Sequence, residues 1–141
     1  MSIKFNFSQI LFLLILITGC IRKKIVPLSI TTKSKGVLYL DKQPFTGTGI
    51  DDYNNYKKKL KVSYRKGKKH GKSFSWYPNG KIKEKSIYDK GKKVGTHLGF
   101  WPNGNIRFKK KYSLGLLNGK QKQWHKNGIL ARLSNYNRGK E

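Results

Sequence analysis

The sequence is poor in acidic residues, in cysteine and in long apolar runs, and each shortage narrows the class of protein. Only 6 Asp and Glu stand against 32 Lys and Arg in 141 residues, a formal net charge of +26. Few carboxylates leave little material for acid–base chemistry, and self-repulsion at this charge disfavours a compact enzyme without an anionic partner. The single cysteine excludes an internal disulfide.

Apolar and aromatic residues are nevertheless as frequent as in a folded protein. They make up 36% and 13% of the chain, which is more than a disordered basic tail carries. A chain of 141 residues has room for one domain. The composition therefore predicts a small folded module with a basic surface. We expect no catalytic residues, no metal and no cofactor.

The N-terminus has the pattern of a signal peptide that ends at the lone cysteine. Lys4 precedes an apolar run at residues 10–17, which is shorter than the roughly 20 residues that span a bilayer. The next residues resemble a bacterial lipobox, which implies a signal peptide over residues 1–19 and a lipoprotein anchored by acyl chains, palmitate among them. The alternative is an ordinary signal peptide with an incidental cysteine. The residues of this motif are Ile17, Thr18, Gly19 and Cys20.

A basic cluster follows the cysteine directly and consists of Arg22, Lys23 and Lys24. Each charge could add about 1 kcal/mol of attraction to anionic lipid. The other interpretation is that these charges keep a linker solvated. Residues 20–36 contain no clear period and are interpreted as the lipidated cysteine and its tether. We therefore expect a chain anchored to the cell membrane or outer membrane and facing away from the cytoplasm.

From Tyr64 onward the sequence repeats every 24 residues without a gap. Several columns keep one period over three or more units, which is the signature of a repeat protein. The tyrosine column is Tyr64, Tyr88, Tyr112 and Tyr136. The glycine columns are Gly67, Gly91, Gly115 and Gly139, then Gly71, Gly95 and Gly119, then Gly80, Gly104 and Gly128. The aromatic column is Trp76, Phe100 and Trp124.

Each unit has the pattern of a β-hairpin. The tripeptide at residues 78–80, Pro-Asn-Gly, favours a tight turn, and the flanking segments alternate apolar and polar residues with a period of two. A lone hairpin is marginal in water, so the units must stack to bury their aromatic column. The sequence therefore predicts an all-β protein, an elongated meander of stacked β-hairpins.

These units resemble the MORN-repeat variant of bacterial proteins over residues 64–141, with units at 64–87, 88–111 and 112–135 and a partial unit at 136–141. Residues 37–63 are interpreted as a degenerate capping unit. There, Gly47 and Tyr53 keep the spacing, whereas residues 54–56 lack the turn glycine. The resemblance implies a non-catalytic function in membrane attachment, lipid contact or scaffolding. Proteins of this kind often carry the label of a toxin–antitoxin antitoxin component.

Candidate chemical groups are sparse. His70, His97 and His125 share no repeat position and have no second ligand at metal-binding spacing. Asp51 and Asp52 form the only acid pair, and a turn or capping role competes with hydrolysis of an envelope polymer. We favour the structural role, because no nucleophile or base lies nearby in the sequence.

The alternation of the second strands predicts a basic stripe on one face, and the first strands predict an exposed aromatic column beside it. Together these groups suit anionic lipid headgroups, an acidic envelope polymer or a protein, whereas nucleic acid is a poor partner for an exported chain. The alternative is a merely solvated charged face. The stripe comprises Lys81, Lys83, Lys85, Arg107, Lys109 and Lys111, and the column comprises Tyr77, Trp101 and His125.

Two functions follow from these features. The first is a membrane-anchored lipoprotein whose repeat array binds a protein or an anionic envelope component. The second is an antitoxin or immunity-type neutraliser of a partner toxin. In addition, the last hairpin is expected to leave an open edge strand that is available for self-association or for pairing with a partner.

Overall fold

The computed structural model describes residues 24–141, which are almost entirely β-structure. The predicted signal peptide, its motif residues with Cys20, and Arg22 and Lys23 lie outside the described residues. No helix among residues 24–141 is long and apolar enough to cross a membrane. The elements are β1 (Ile25–Pro27), a 3-10 helix (Leu28–Ile30), β2 (Thr32–Ser34), β3 (Val37–Leu40), β4 (Gln43–Pro44), β5 (Gly47–Asp52), β6 (Lys58–Arg65), β7 (Lys68–Trp76), β8 (Ile82–Asp89), β9 (Lys92–Lys93), β10 (Gly95–Phe100), β11 (Ile106–Ser113), β12 (Leu116–Leu117), β13 (Gly119–Trp124) and β14 (Leu130–Tyr136).

Eleven of these strands form one sheet in which neighbours in sequence are neighbours in space. Its order is β1-β5-β6-β7-β8-β10-β11-β13-β14, and the short β9 and β12 pair with β8 and β11. All pairs are antiparallel except β1 with β5, which run parallel. The prediction of an all-β meander of stacked hairpins is confirmed.

The hairpin tips are closed by an asparagine followed by a residue with positive φ. The Asn79 side-chain oxygen accepts a hydrogen bond from the Lys81 backbone N–H at 3.1 Å, and Gly80 has φ +81°. The first tip uses Asn55 in the same way, with Tyr56 at φ +60° in place of the glycine. The expected loss of register at residues 54–56 is therefore wrong, because this tyrosine adopts the left-handed conformation that glycine usually supplies.

The opposite turns place two consecutive residues at positive φ, as a type I′ turn requires. The pairs repeat every 24 residues, and the glycine of each pair donates its N–H to a carbonyl of the preceding unit. One example is Gly91, which bonds Lys69 O at 2.8 Å. These bonds give the glycine column a role in joining units. The pairs are Lys66 and Gly67, Lys90 and Gly91, Leu114 and Gly115, and Arg138 and Gly139.

The segment expected to be a tether is folded. Val26 in β1 is 5% exposed and belongs to the only apolar core cluster of the described residues. Strands β2, β3 and β4 form a separate small sheet that contributes Leu38, Leu40 and then Phe45 to this core. The predicted tether is therefore wrong for residues 25–36, and the predicted capping unit is divided. Residues 25–46 cover the end of the array, and β5 with β6 form its first full hairpin.

The interior of the array is polar rather than aromatic. On one face of the main sheet, Ser73 lies opposite Ser86, and Gln121 lies opposite Ser134; all four are at most 9% exposed. We call this surface the tyrosine face, because it also carries the tyrosine column. The aromatic column that was expected to be buried lies on the other face and is only half-buried. That column comprises Trp76, Phe100 and Trp124.

Candidate anion-binding face

The second face of the sheet carries a transverse row of side chains that alternates between apolar and basic residues over its first six positions. Strand pairing places the row members directly opposite one another, so neighbours lie about 5 Å apart. None of the eight residues is acidic. We call this surface the lysine face. Its row runs Ile50, Lys61, Phe74, Lys85, Leu98, Lys109, Lys122 and Leu133, from β5 to β14.

Four residues of the predicted stripe lie on this face. Strand alternation puts Lys83 with Lys85 on β8, and Lys109 with Lys111 on β11. The Lys85 ammonium lies 5.6 Å from the centre of the Phe100 ring, a cation–π distance. Lys61 and Lys122 belong to the same surface but were not selected from the sequence. For Lys61, the 24-residue spacing to Lys85 was the signal.

Two members of the predicted stripe have other contacts. The Lys81 ammonium donates a hydrogen bond to Asn103 O at 2.8 Å, so it joins two hairpin tips. The Arg107 guanidinium lies 5.6 Å from the Trp101 ring and 5.1 Å from the Phe108 ring. Both cations therefore help to pack one unit on the next, which leaves less of their charge for a ligand.

The predicted aromatic column joins consecutive units. The Tyr77 hydroxyl donates to Phe100 O at 2.8 Å, and the Trp101 indole N–H donates to Trp124 O at 3.0 Å. Tyr53 makes the equivalent bond in the first unit. Because these rings are half-buried and hydrogen-bonded, the expectation of an exposed column is wrong for Tyr77 and Trp101, although His125 is exposed.

A second basic region lies on the tyrosine face and was not found from the sequence. The Lys69 ammonium is 5.0 Å from the Tyr88 ring centre, and Lys93 is 5.2 Å from the Tyr112 ring centre. Partial burial lowers the pKa of Lys69, and the nearby charges of Lys33 and Lys93 lower it further. The 24-residue spacing of Lys69 and Lys93 was the available signal. This contact pattern indicates that the two lysines stabilise the stacking of tyrosines.

The histidines and the acid pair have structural surroundings. His97 is fully buried, and its Nε2 lies 3.1 Å from Ile87 O. His70 lies 3.1 Å from the Asp89 carboxylate, and Asp51 forms an ion pair with Lys59 at 2.9 Å. Within residues 24–141, no three His, Cys, Asp or Glu side chains group together as metal ligands would.

Two shallow depressions lie at the N-terminal end of the array and share His70. One, of about 580 Å³, opens on the lysine face between β1 and β7, with Lys61, Lys72 and Phe74 in its lining. The other, of about 530 Å³, is almost wholly basic. Its lining residues are Arg65, Lys66, Lys68, His70 and Lys90. Positive charge is therefore concentrated near the end of the array that the N-terminal segment covers.

Two segments of the chain match the family described as MORN repeat variant, at residues 69–90 and 117–138. The first covers most of β7 and all of β8, and the second covers β13 and β14. No curated protein and no solved structure matches the chain. Repeats of this type generally act as binding or scaffold modules, so the folded part is a repeat module of that general class.

Proposed function

We propose that this protein is a non-catalytic binding module held at a membrane through Cys20, and that its lysine face binds a surface of closely spaced anionic groups. Such groups occur as phosphates on lipid headgroups or on an acidic envelope polymer. The observation that carries this proposal is the row across the sheet, in which Lys61, Lys85 and Lys109 are separated by two strands each. This spacing, about 10 Å, suits a repeating polyanion better than a single small anion.

Electrostatics and apolar contact both support this function. A cation on the face gains from anionic lipid about 1 kcal/mol, and several acting together give a useful affinity that depends on salt. Phe74 and Leu98 lie between the lysines and offer apolar surface to the region just below the headgroups. The same face thus contains both elements that an interfacial protein uses.

The folded N-terminal segment strengthens the case for close membrane contact. Lys24 O accepts a hydrogen bond from Thr48 N–H at 2.8 Å, so the array begins at residue 24. Three residues separate Lys24 from Cys20. Even a fully extended chain of four residues reaches only about 14 Å. An acyl anchor on Cys20 would therefore hold the basic depressions near the headgroups.

A triple substitution tests the lysine face. We expect that Lys85→Gln, Lys109→Gln and Lys122→Gln together weaken binding to vesicles with phosphatidylglycerol by at least tenfold at low salt, because about 1 kcal/mol is lost per charge. Binding is measured by vesicle sedimentation across a salt series, with the acyl anchor removed by Cys20→Ser. The row variant should also show a smaller dependence on salt.

The matched control removes the same charge elsewhere. Lys57, Lys126 and Lys140 are exposed and lie outside the lysine face, so a triple Lys→Gln variant at these positions should lose much less binding. Equal losses for the two variants would contradict a role of the face and indicate attraction by net charge alone. Retention of envelope binding together with loss of vesicle binding would identify a polymer as the source of the anions. Recovery of one stoichiometric protein instead would favour the neutraliser function.

Acyl labelling tests the anchor separately. We expect the wild-type protein to incorporate labelled palmitate in a bacterial host and to fractionate with membranes. The Cys20→Ser variant should incorporate none, because its hydroxyl cannot form the thioether. Labelling is read by in-gel fluorescence after extraction of loose lipid. Equal incorporation by wild type and variant would exclude Cys20 as the lipidated residue, and this result is independent of the lysine face.

A further inference from the structure

Strand β14 forms the edge of the main sheet opposite β1. Within the part of the chain that the structure describes, β14 pairs with β13 on one side only. It is seven residues long, and the backbone groups on its outer side are therefore open to another strand. Exposed edges of this length are usually protected by lysine, proline or a bulge.

The usual protection is reduced in this strand. The basic column Lys61, Lys85 and Lys109 continues in β14 as Leu133, which is 56% exposed. The neighbouring column Lys59, Lys83 and Arg107 continues as Ala131. Apolar side chains thus replace cations in the one second strand that lies at the edge, although the chain as a whole carries 32 Lys and Arg.

The remaining charge on β14 is paired. Both carboxylate oxygens of Glu141 lie 2.7 Å from the Arg132 guanidinium, and the Tyr136 hydroxyl donates to the same carboxylate at 3.0 Å. Hydrogen bonding by Ser134, Arg132 and Tyr136 lowers the pKa of Glu141 to about 2, so the pair stays ionised in neutral solution. The edge is therefore close to electrically neutral.

We propose that β14 pairs with β14 of a second copy of this chain, in an antiparallel and two-fold symmetric manner that extends the sheet through both molecules. With the axis at Leu133, this residue lies opposite its own copy, and Arg132 lies opposite Ser134. No two charged side chains then face each other across the new strand pair. An isologous contact of this kind closes after two copies.

The charge distribution makes a second copy an acceptable partner. In the dimer, the nearest lysines on the lysine face are on β13 of each molecule, three strand spacings or about 14 Å apart. This distance exceeds the screening length of about 8 Å at physiological salt. Head-to-tail pairing with β1 is less favourable, because that strand has three residues and ends in Pro27.

Restoring the missing lysine tests this proposal. We expect the Cys20→Ser protein to have the mass of a dimer in sedimentation equilibrium at physiological salt. Adding Leu133→Lys should raise the dissociation constant at least tenfold, because two ammonium groups would then lie about 5 Å apart. A monomeric Cys20→Ser protein would overturn the proposal, as would a Leu133→Lys variant of unchanged affinity.

Cross-linking gives a readout that does not depend on the stability of the lysine variant. In the Cys20→Ser background, a Leu133→Cys variant has a single thiol on the two-fold axis, where the Cα separation suits a disulfide. We expect it to form a covalent dimer on mild oxidation. The control is Ile129→Cys, which is equally exposed in the monomer but would lie about 27 Å from its copy. Equal cross-linking at both positions would indicate random collision and contradict the proposed register.

Discussion

Replacing Phe45 with alanine is expected to destabilise the protein by about 3–5 kcal/mol, the range for removing a buried aromatic side chain. Phe45 is 3% exposed, packs with Val26, Leu38 and Leu40, and has its ring centre 6.0 Å from that of Tyr64. Few other hydrophobic side chains in the described residues are buried. The loss is therefore a large fraction of the stability of a domain of this size. Urea unfolding followed by tryptophan fluorescence measures it.

The matched control is Ile30→Ala, since this residue belongs to the same N-terminal segment but is 59% exposed. It should change the free energy of unfolding by less than about 0.5 kcal/mol. If Phe45→Ala were as mild as the control, residues 25–46 would not form part of the cooperative unit. The segment would then be a tether that contributes little to stability, as the sequence first indicated.

The repeats were predictable because their signals are local. A hairpin is specified by residues within one unit, and the asparagine and glycine of its tip recur every 24 residues. Strand order then follows from short connections, since successive hairpins have few other ways to pair. Residues 54–56 misled because Tyr56 adopts positive φ without being glycine.

The N-terminal cover was not predictable for a related reason. Strand β1 has three residues and pairs in parallel with β5, which lies about twenty residues further on. A parallel pair has no turn signal of its own, and three residues show no period. Gly49 and Gly67 do carry the imprint of the cover, because an added Cβ would meet Leu28 in one case and Leu38 in the other. One sequence alone does not reveal why those positions are glycine.

The candidate face was partly predictable. Strand alternation correctly placed Lys83, Lys85, Lys109 and Lys111 on one side. The contacts between units could not be derived in this way, because they depend on how far one hairpin is displaced from the next. For this reason Lys81 and Arg107 were assigned to a ligand, whereas the structure gives them partners within the array.

Replacing His97 with alanine is expected to destabilise the protein by about 3 kcal/mol at neutral pH, since buried hydrogen-bonding groups lose their partner and a cavity forms. The His97 Nε2 lies 3.1 Å from Ile87 O and 3.4 Å from Ile87 N. One unit later, the Gln121 side chain contacts both the N–H and the carbonyl of Lys111. The sequence contained this relation, because 97 and 121 differ by one period. A His97→Gln variant should therefore retain most of the stability.

The same variant should differ from wild type in acid. Burial lowers the pKa of His97, and Lys93 lowers it further, while the Ile87 carbonyl and Glu84 act in the opposite direction. The unfolded chain thus binds a proton more readily than the folded one. The stabilisation is complete above the ordinary histidine pKa of about 6.5 and is lost as the pH falls through the lower folded value. Below that pH, His97→Gln should be the more acid-resistant protein in urea unfolding.

The histidine control separates this effect from general acid unfolding. His125 is exposed, so His125→Gln should follow the wild-type pH dependence. His70 is retained in every variant, because it lies beside Asp89 and its titration contributes equally to all of them. If His97→Gln lost stability between about pH 7 and 5 as steeply as wild type, the buried imidazole would not be the acid-sensitive group. A difference confined to that interval would identify His97, at the centre of the polar interior, as the group that sets the lower pH limit of the array.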